Sequence, residues 1–166
     1  NGGRLRTDGG RIDLAGLADN GAVGLNGNGS DLSLTVPENV TRADISVANR
    51  ALIDVRAAGG GSIEVNARNL EVTQGSQILA GIRKGLGNPE SVGGDITINV
   101  TDNFIFDGQG SYIFTGAFIR VLSVSQGKAG DVEINTGFLS VLNGAQLSAN
   151  TKGIGDAGSV KITATD

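Results

Sequence analysis

The chain has 166 residues, 28 of them Gly and 39% hydrophobic, and carries 13 basic against 17 acidic side chains for a net charge of −4. It has no Cys, His, Met or Trp, which excludes disulfides, thiolate metal sites and histidine as a general base. No basic block points to nucleic acid, and no run of 18 apolar residues is present to span a membrane.

So much Gly would suit a disordered chain. Here, though, Val, Ile, Leu and Ala alternate, and alternating aliphatic segments bury enough surface to offset chain entropy. The glycines then mark tight corners, where positive φ carries no steric penalty. The chain opens on "NGGRLRT" without a visible signal peptide and reads as the middle of something larger. Five short alternations follow within residues 1–60: "GGRIDL" from Gly9, "AVGL" from Ala22, "DLSLTV" from Asp31, "DISV" from Asp44 and "ALIDV" from Ala51. They predict two or three less regular coils without fixing their register.

From residue 61 a repeat is plain. The phrase Gly-(Ser/Asp)-(Ile/Val)-x-(Ile/Val) starts at Gly61, Gly94, Gly130 and Gly158. A second phrase follows: "LEVTQGSQILA" from Leu70 superposes without a gap on "LSVLNGAQLSA" from Leu139. In the middle copy Phe104 and Phe106 take the Leu and Val places, and "GSYIFTG" from Gly110 aligns with "GSQILAG" from Gly75. The units are 61–93, 94–129 and 130–157, with 158–166 opening another. Residues 81–93, 116–129 and 150–157 read as surface loops of variable length.

Three short strands per unit, with no sustained i, i+3, i+4, i+7 stripe, predict an all-β fold: one parallel β-helix over residues 1–166, of about five to six coils. At about 4.8 Å per coil this is a rod of roughly 25–30 Å. Like residues should stack in inward columns: Ile63, Ile96, Val132 and Val160; Val65, Ile98, Ile134 and Ile162; Leu70, Phe104 and Leu139. Glu64, Thr97, Glu133 and Lys161 should face outward. Asn66, Asn99 and Asn135 also recur just after the first strand of each unit, either as a hydrogen-bonded ladder or simply as residues tolerant of turns. No polar capping repeat is visible at either end, and an uncapped solenoid exposes open edges. Copies are therefore expected to stack end to end, Val160 and Ile162 meeting Leu5 and Ile12 of the next. Such a contact does not close, so it makes a filament.

"GGRIDLAGLADNGAVGLN", "GGGSIEVNARNLEVTQGSQILAGI" and "GDVEINTGFLSVLNGAQLSANTKGIGDAGSVKITA" resemble cyanobacterial exoproteins of the filamentous haemagglutinin type. The resemblance rests on repeat phrasing and on no catalytic motif. It implies a right-handed β-helix, two-partner secretion through an outer-membrane protein, and a place on the cell surface or in the matrix. The Asn-Pro motifs of that family's secretion module are matched only poorly by Asn88-Pro89-Glu90-Ser91, so the segment reads as rod beyond that module.

Other motifs have bland readings. Residues 153–158 spell G-x-G-x-x-G, but "SVKITA" follows where a dinucleotide site needs a helix. Asp95, Asp131, Glu64 and Glu133 are the carboxylates a polysaccharide-active enzyme would use. Glycoside cleavage needs two that converge, but Glu64 and Glu133 occupy repeat-equivalent positions on a solvated face, and Asp95 and Asp131 sit beside the corner glycines as turn residues do. "TDNFIFDGQG" and "LADNGAVGLNGNGSD" offer oxygen ligands for Ca²⁺ but lack the Ca²⁺-roll phrase, and read as turns. Phe104, Phe106, Tyr112, Phe114 and Phe118 cluster within 104–118. They fill a wide coil or form a ligand patch, for which Tyr112 and Phe118 are the candidates. The sequons at Asn28, Asn39 and Asn99 are assigned no role. The sequence thus reads as a non-enzymatic, extracellular, structural or adhesive rod segment with no cofactor. Its partners would be a second copy or a longer rod, the secretion protein, and a surface glycan or matrix; nucleic acid and membrane insertion are not expected. One alternative is an adhesin that binds a glycan or host protein through its loops. The other is a polysaccharide-active β-helix enzyme.

Overall fold

A computed structural model describes residues 2–18, 20, 22–28, 31–37, 39–111 and 114–165. Among them there is no helix and there are sixteen strands. Those of the first third are β1 (Arg4–Arg6), β2 (Ile12–Ala15), β3 (Gly24–Asn28), β4 (Asp31–Thr35), β5 (Ile45–Val47) and β6 (Leu52–Asp54). The regular repeat supplies β7 (Ile63–Ala67), β8 (Leu70–Thr73), β9 (Gln77–Ile82), β10 (Ile96–Val100), β11 (Asn103–Asp107) and β12 (Gly116–Val121). It ends with β13 (Val132–Thr136), β14 (Phe138–Leu142), β15 (Gln146–Thr151) and β16 (Val160–Ala164).

Fourteen of these strands wind through three sheets in turn. Sheet I has the order β2-β7-β10-β13-β16, sheet II β5-β8-β11-β14, and sheet III β1-β6-β9-β12-β15. Every pair within them is parallel and carries like residues into register. The fold is a parallel β-helix. Six turns are represented, four of them with all three strands.

The expected columns are present and longer than the repeat alone predicts. Ile12, Ile63, Ile96, Val132 and Val160 stand in one; Leu14, Val65, Ile98, Ile134 and Ile162 in the next. Sheet II adds Ile45, Leu70, Phe104 and Leu139. Sheet III adds Leu5, Ile53, Ile78, Ala117 and Leu147. The middle members are fully buried, each contributing about 1.5–3 kcal/mol of apolar burial. Volume is balanced within a coil. Phe104 and Phe106, with ring centroids 4.4 Å apart, share their turn with the small Ala117.

The corners explain the repeat's polar letters. Between sheets II and III, Asn49-Arg50, Gln74-Gly75 and Asn143-Gly144 all have positive φ. Each pair is closed by an i+3 amide, from Ala51, Ser76 and Ala145, onto Ala48, Thr73 and Leu142. These are type I′ turns, which require φ > 0 at both central positions. At the start of sheet I, a Cβ on Gly94 would lie 2.4 Å from the Gly61 carbonyl oxygen, and one on Gly158 1.8 Å from that of Gly130. Only glycine lets the coils approach this closely. The residue that follows each has a task as well. Asp95 Oδ1 accepts the Asp131 N–H at 2.8 Å, and Asp131 Oδ1 accepts the Ser159 N–H at 2.6 Å.

Two sequence expectations need correction. "AVGL" and "DLSLTV" are not coil strands: they form the antiparallel hairpin β3–β4 between β2 and β5. Leu25 pairs with Leu34 and Gly27 with Leu32, so the apolar residues share one hairpin face, and the Gly/Asn-rich stretch between them favours a tight hairpin connection. The insertion is tied down by Ala18 N–H to Thr41 O, Ala43 N–H to Gly16 O, both 2.9 Å, and Leu34 N–H to Asp13 Oδ2, 2.7 Å. The first 60 residues therefore give one enlarged coil and a leading strand. The second correction concerns residues 116–129. Their first part, Gly116–Val121, is strand β12, and Gly116, not Tyr112, lies opposite Gln77. Ala117, Ile119 and Val121 then fill the inward places, and Thr115 Oγ1 accepts the Gly75 N–H at 2.8 Å.

Candidate functional site

The outward faces carry stacked polar side chains rather than a converging site. On sheet I, Asn99 Nδ2 donates to Asn66 Oδ1 at 3.3 Å, and Asn135 Nδ2 to Asn99 Oδ1 at 3.0 Å. The asparagines thus form the axial ladder, within the strands rather than after them. A second ladder lines sheet II. Asn69 Nδ2 donates to Asp44 Oδ1 at 2.8 Å and Asn103 Nδ2 to Asn69 Oδ1 at 3.1 Å. The Arg68 guanidinium, then Asn69, hold the Asp44 carboxyl down to about 2. Phe138 occupies the next rung and ends this ladder, half exposed.

The four candidate catalytic carboxylates are each engaged. Glu64 pairs with Arg11 and accepts from Asn66; Glu133 pairs with Lys161 at 2.8 Å. Thr97 stands between the two glutamates in register, which places them about 10 Å apart across two strand spacings. Asp95 and Asp131 bind backbone amides of the following coil. The Ser159 N–H, then its hydroxyl, hold Asp131 below the usual carboxylate range. Among the described residues no group of three Asp or Glu is placed to hold a metal ion.

Of the aromatics in residues 104–118, Phe104 and Phe106 fill the core of their coil and Phe114 is exposed. Phe118 lies on the outward face of sheet III, yet it is fully buried, with the Arg120 guanidinium 4.1 Å above its ring. Its ring is closed to a ligand. Tyr112 lies outside the described residues. The G-x-G-x-x-G segment leads into β16, a strand, and its glycines pack against the coil below: a Cβ on Gly153 would lie 2.3 Å from the Ser125 carbonyl oxygen, and one on Gly155 2.1 Å from that of Gly127.

The four end residues fall where the columns stop. Val160 and Ile162 are 39% and 47% exposed on the last strand of sheet I, Ile12 is half-buried on its first, and Leu5 is 46% exposed on the first strand of sheet III. Leu5, Leu14, Ile45, Val47 and Ile53 line an apolar mouth of about 480 Å³. A groove of about 450 Å³ of mixed lining crosses sheet II over Ile45, Ser46, Asn69, Glu71, Asn103 and Ile105.

One feature escaped the sequence reading. Arg56, Arg83 and Arg120 collect on the outer face of sheet III with Asp54 and Asp8. Asp54 is pushed up by burial, but the Arg56 fork at 2.8 and 2.9 Å outweighs this and holds its pKa low. The signal was the Arg at the end of "DVR", "GIR" and "FIR", once within or just past each of three successive third strands. The chain matches no protein-family model, no curated protein and no solved structure.

Proposed function

We propose that this chain is a non-enzymatic structural segment of an extracellular rod, secreted by a two-partner route and holding distance between a cell surface and its surroundings. The observation that carries this reading is the unbroken register of sheet I from Ile12 to Val160. A continuous column with polar ladders on its outside resists local opening, because no rung can leave without uncovering two neighbours. Val160 and Ile162 at one edge and Ile12 and Leu14 at the other stand in the same two columns, so a further coil or a second copy would extend both. Size-exclusion chromatography and electron microscopy over a concentration series test the stacking, and filaments are expected. A stable monomer at high concentration removes the end-to-end contact. Turnover of a polysaccharide, with or without Ca²⁺, removes the non-enzymatic reading.

A second reading, adhesion through the loops, is favoured by one observation. Val92, Val124 and Ile154 are 54%, 77% and 70% exposed on the connections from sheet III to sheet I. Exposed aliphatic side chains gathered along one corner suit a partner. Shortening 83–93 and 122–129 abolishes surface attachment if the loops bind, and leaves it intact if the rod alone acts.

A further inference from the structure

The groove on the outer face of sheet II crosses the neighbouring strands β5, β8 and β11 and holds about 450 Å³. One wall is the ladder of Asp44, Asn69 and Asn103. The other is Ser46, Glu71 and Ile105, which stand in register. Asp44, Ser46, Glu71 and Asn103 are exposed, so the groove is open to solvent. The next strand, β14, continues the two walls with Phe138 and Ser140. Phe138 is 49% exposed.

Its unspent polar atoms are mostly acceptors. Asn103 Oδ1 ends the ladder, because Phe138 on the next rung has no side-chain donor to offer it. Among the described residues the Glu71 carboxylate and the Ser46 hydroxyl have no partner. Asp44, by contrast, is taken by Arg68 and Asn69. Glu71 is therefore the one uncompensated charge in the lining, and it disfavours an anionic ligand. Beside these acceptors Ile105 and Phe138 offer an apolar surface. A ligand that fits has hydrogen-bond donors on its edge and an apolar face. The spacing selects the kind of chain. Like places recur along the groove once per strand, about 4.8 Å apart, close to the advance of one pyranose ring along an extended glycan. An extended peptide repeats its same-face groups every second residue, about 6.6 Å apart, and falls out of step.

We propose that sheet II binds a pyranose chain without acid groups, laid along the rod axis over β5, β8, β11 and β14. A ring face rests on Phe138 and Ile105, and groups on the ring edge donate to Glu71 and Asn103 Oδ1. The site lies on a sheet face, so it needs neither the loops nor end-to-end stacking.

Calorimetric titration at fixed ionic strength tests it, with a β-1,4-glucose hexamer, a glucosamine hexamer, an oligogalacturonate and pentalysine as probes. The proteins are the natural chain, Phe138→Ala, Glu71→Ala and, as a control on the connection from sheet III to sheet I, Glu90→Gln. Saturable binding of a glucose or glucosamine oligomer is expected. It should weaken at least about fivefold in Phe138→Ala, which removes the stacking face, and about tenfold in Glu71→Ala, which removes a charged acceptor. Glu90→Gln should leave it unchanged. Saturation by both oligomers identifies the pyranose ring as what is recognised; saturation by glucosamine alone adds an ammonium on Glu71, and by glucose alone a neutral chain. If one groove variant fails to fold, the other must show the loss. Absence of saturable binding, equal affinity in the groove variants, or binding of oligogalacturonate or pentalysine as tight as that of the sugars overturns the proposal.

Discussion

Ile96 sits between Ile63 and Val132 in the middle of its column and has no exposed surface. Replacing it by Ala removes three carbons, about 2.4 kcal/mol of transfer energy at about 0.8 kcal/mol each. Rungs above and below are held by their own ladders, so the cavity cannot collapse, and the total should reach about 3–4 kcal/mol. Ile162 stands two coils on in the neighbouring column, is 47% exposed, and has no described rung above it. The same substitution there removes half the burial and leaves no closed cavity, for about 1 kcal/mol. Urea unfolding of both variants measures the difference as a shift in midpoint at unchanged slope. Equal losses at the two sites, or less than about 1 kcal/mol at Ile96, would refute stacking as the source of stability.

Asn99→Ala should cost about 1–3 kcal/mol, since it breaks the bonds to Asn66 and Asn135 and leaves both amides short of a partner; thermal unfolding reads this. Gly81→Ala should lose more than about 2 kcal/mol, because φ is +105° and the new Cβ meets the Arg120 backbone; circular dichroism during heating reads it. Acid should loosen the ladders. The folded pKa of Asp131 lies below its unfolded value of 3.8, and that of Asp44 lies at about 2. Their contributions are therefore present above pH 3.8 and lost as pH falls through the folded values. Relative to neutral pH, protection of the Ser159 amide from hydrogen exchange should fall in this range, and Asp131→Ala should remove that dependence; a pH-independent Ser159 amide in the natural chain contradicts the assignment.

The regular two-thirds of the fold was legible because its period and its alternation agree. Val132, Ile96 and Ile63 recur at the same place in a phrase that also fixes the corner glycine, so pattern and turn chemistry point to one register. Where the two signals part, the reading slipped. "AVGL" and "DLSLTV" alternate as coil strands do, but β3 and β4 pair antiparallel with each other instead of joining the coil sheets. "GSYIFTG" matches "GSQILAG" letter for letter in several places, yet the strand paired with β9 begins at Gly116, and Ala117, Ile119 and Val121 take the core places. Phe118 is buried although alternation puts it on the outward face, because alternation gives a side chain's face and not what lies over it. The arginine cluster went unseen because Arg56, Arg83 and Arg120 are spread over 65 positions of the chain. Only the winding of β6, β9 and β12 into one sheet brings them together. Asp95 and Asp131 read as turn residues, but their carboxylates accept from backbone amides of the next coil, a contact that no local pattern encodes.

The chain's lack of cysteine permits a direct test of the stacked register. Thr97 and Glu133 are outward register partners on adjacent strands. Their Cα atoms should therefore be about 5 Å apart, within disulfide range. Oxidation of the double variant Thr97→Cys, Glu133→Cys should give a cross-link that forms readily and raises the melting temperature. The offset pair Thr97→Cys, Asn135→Cys should remain reduced under the same conditions. Cross-linking of the offset pair as fast as the aligned one, or no cross-link in either, would contradict the β-helix register on which the account rests.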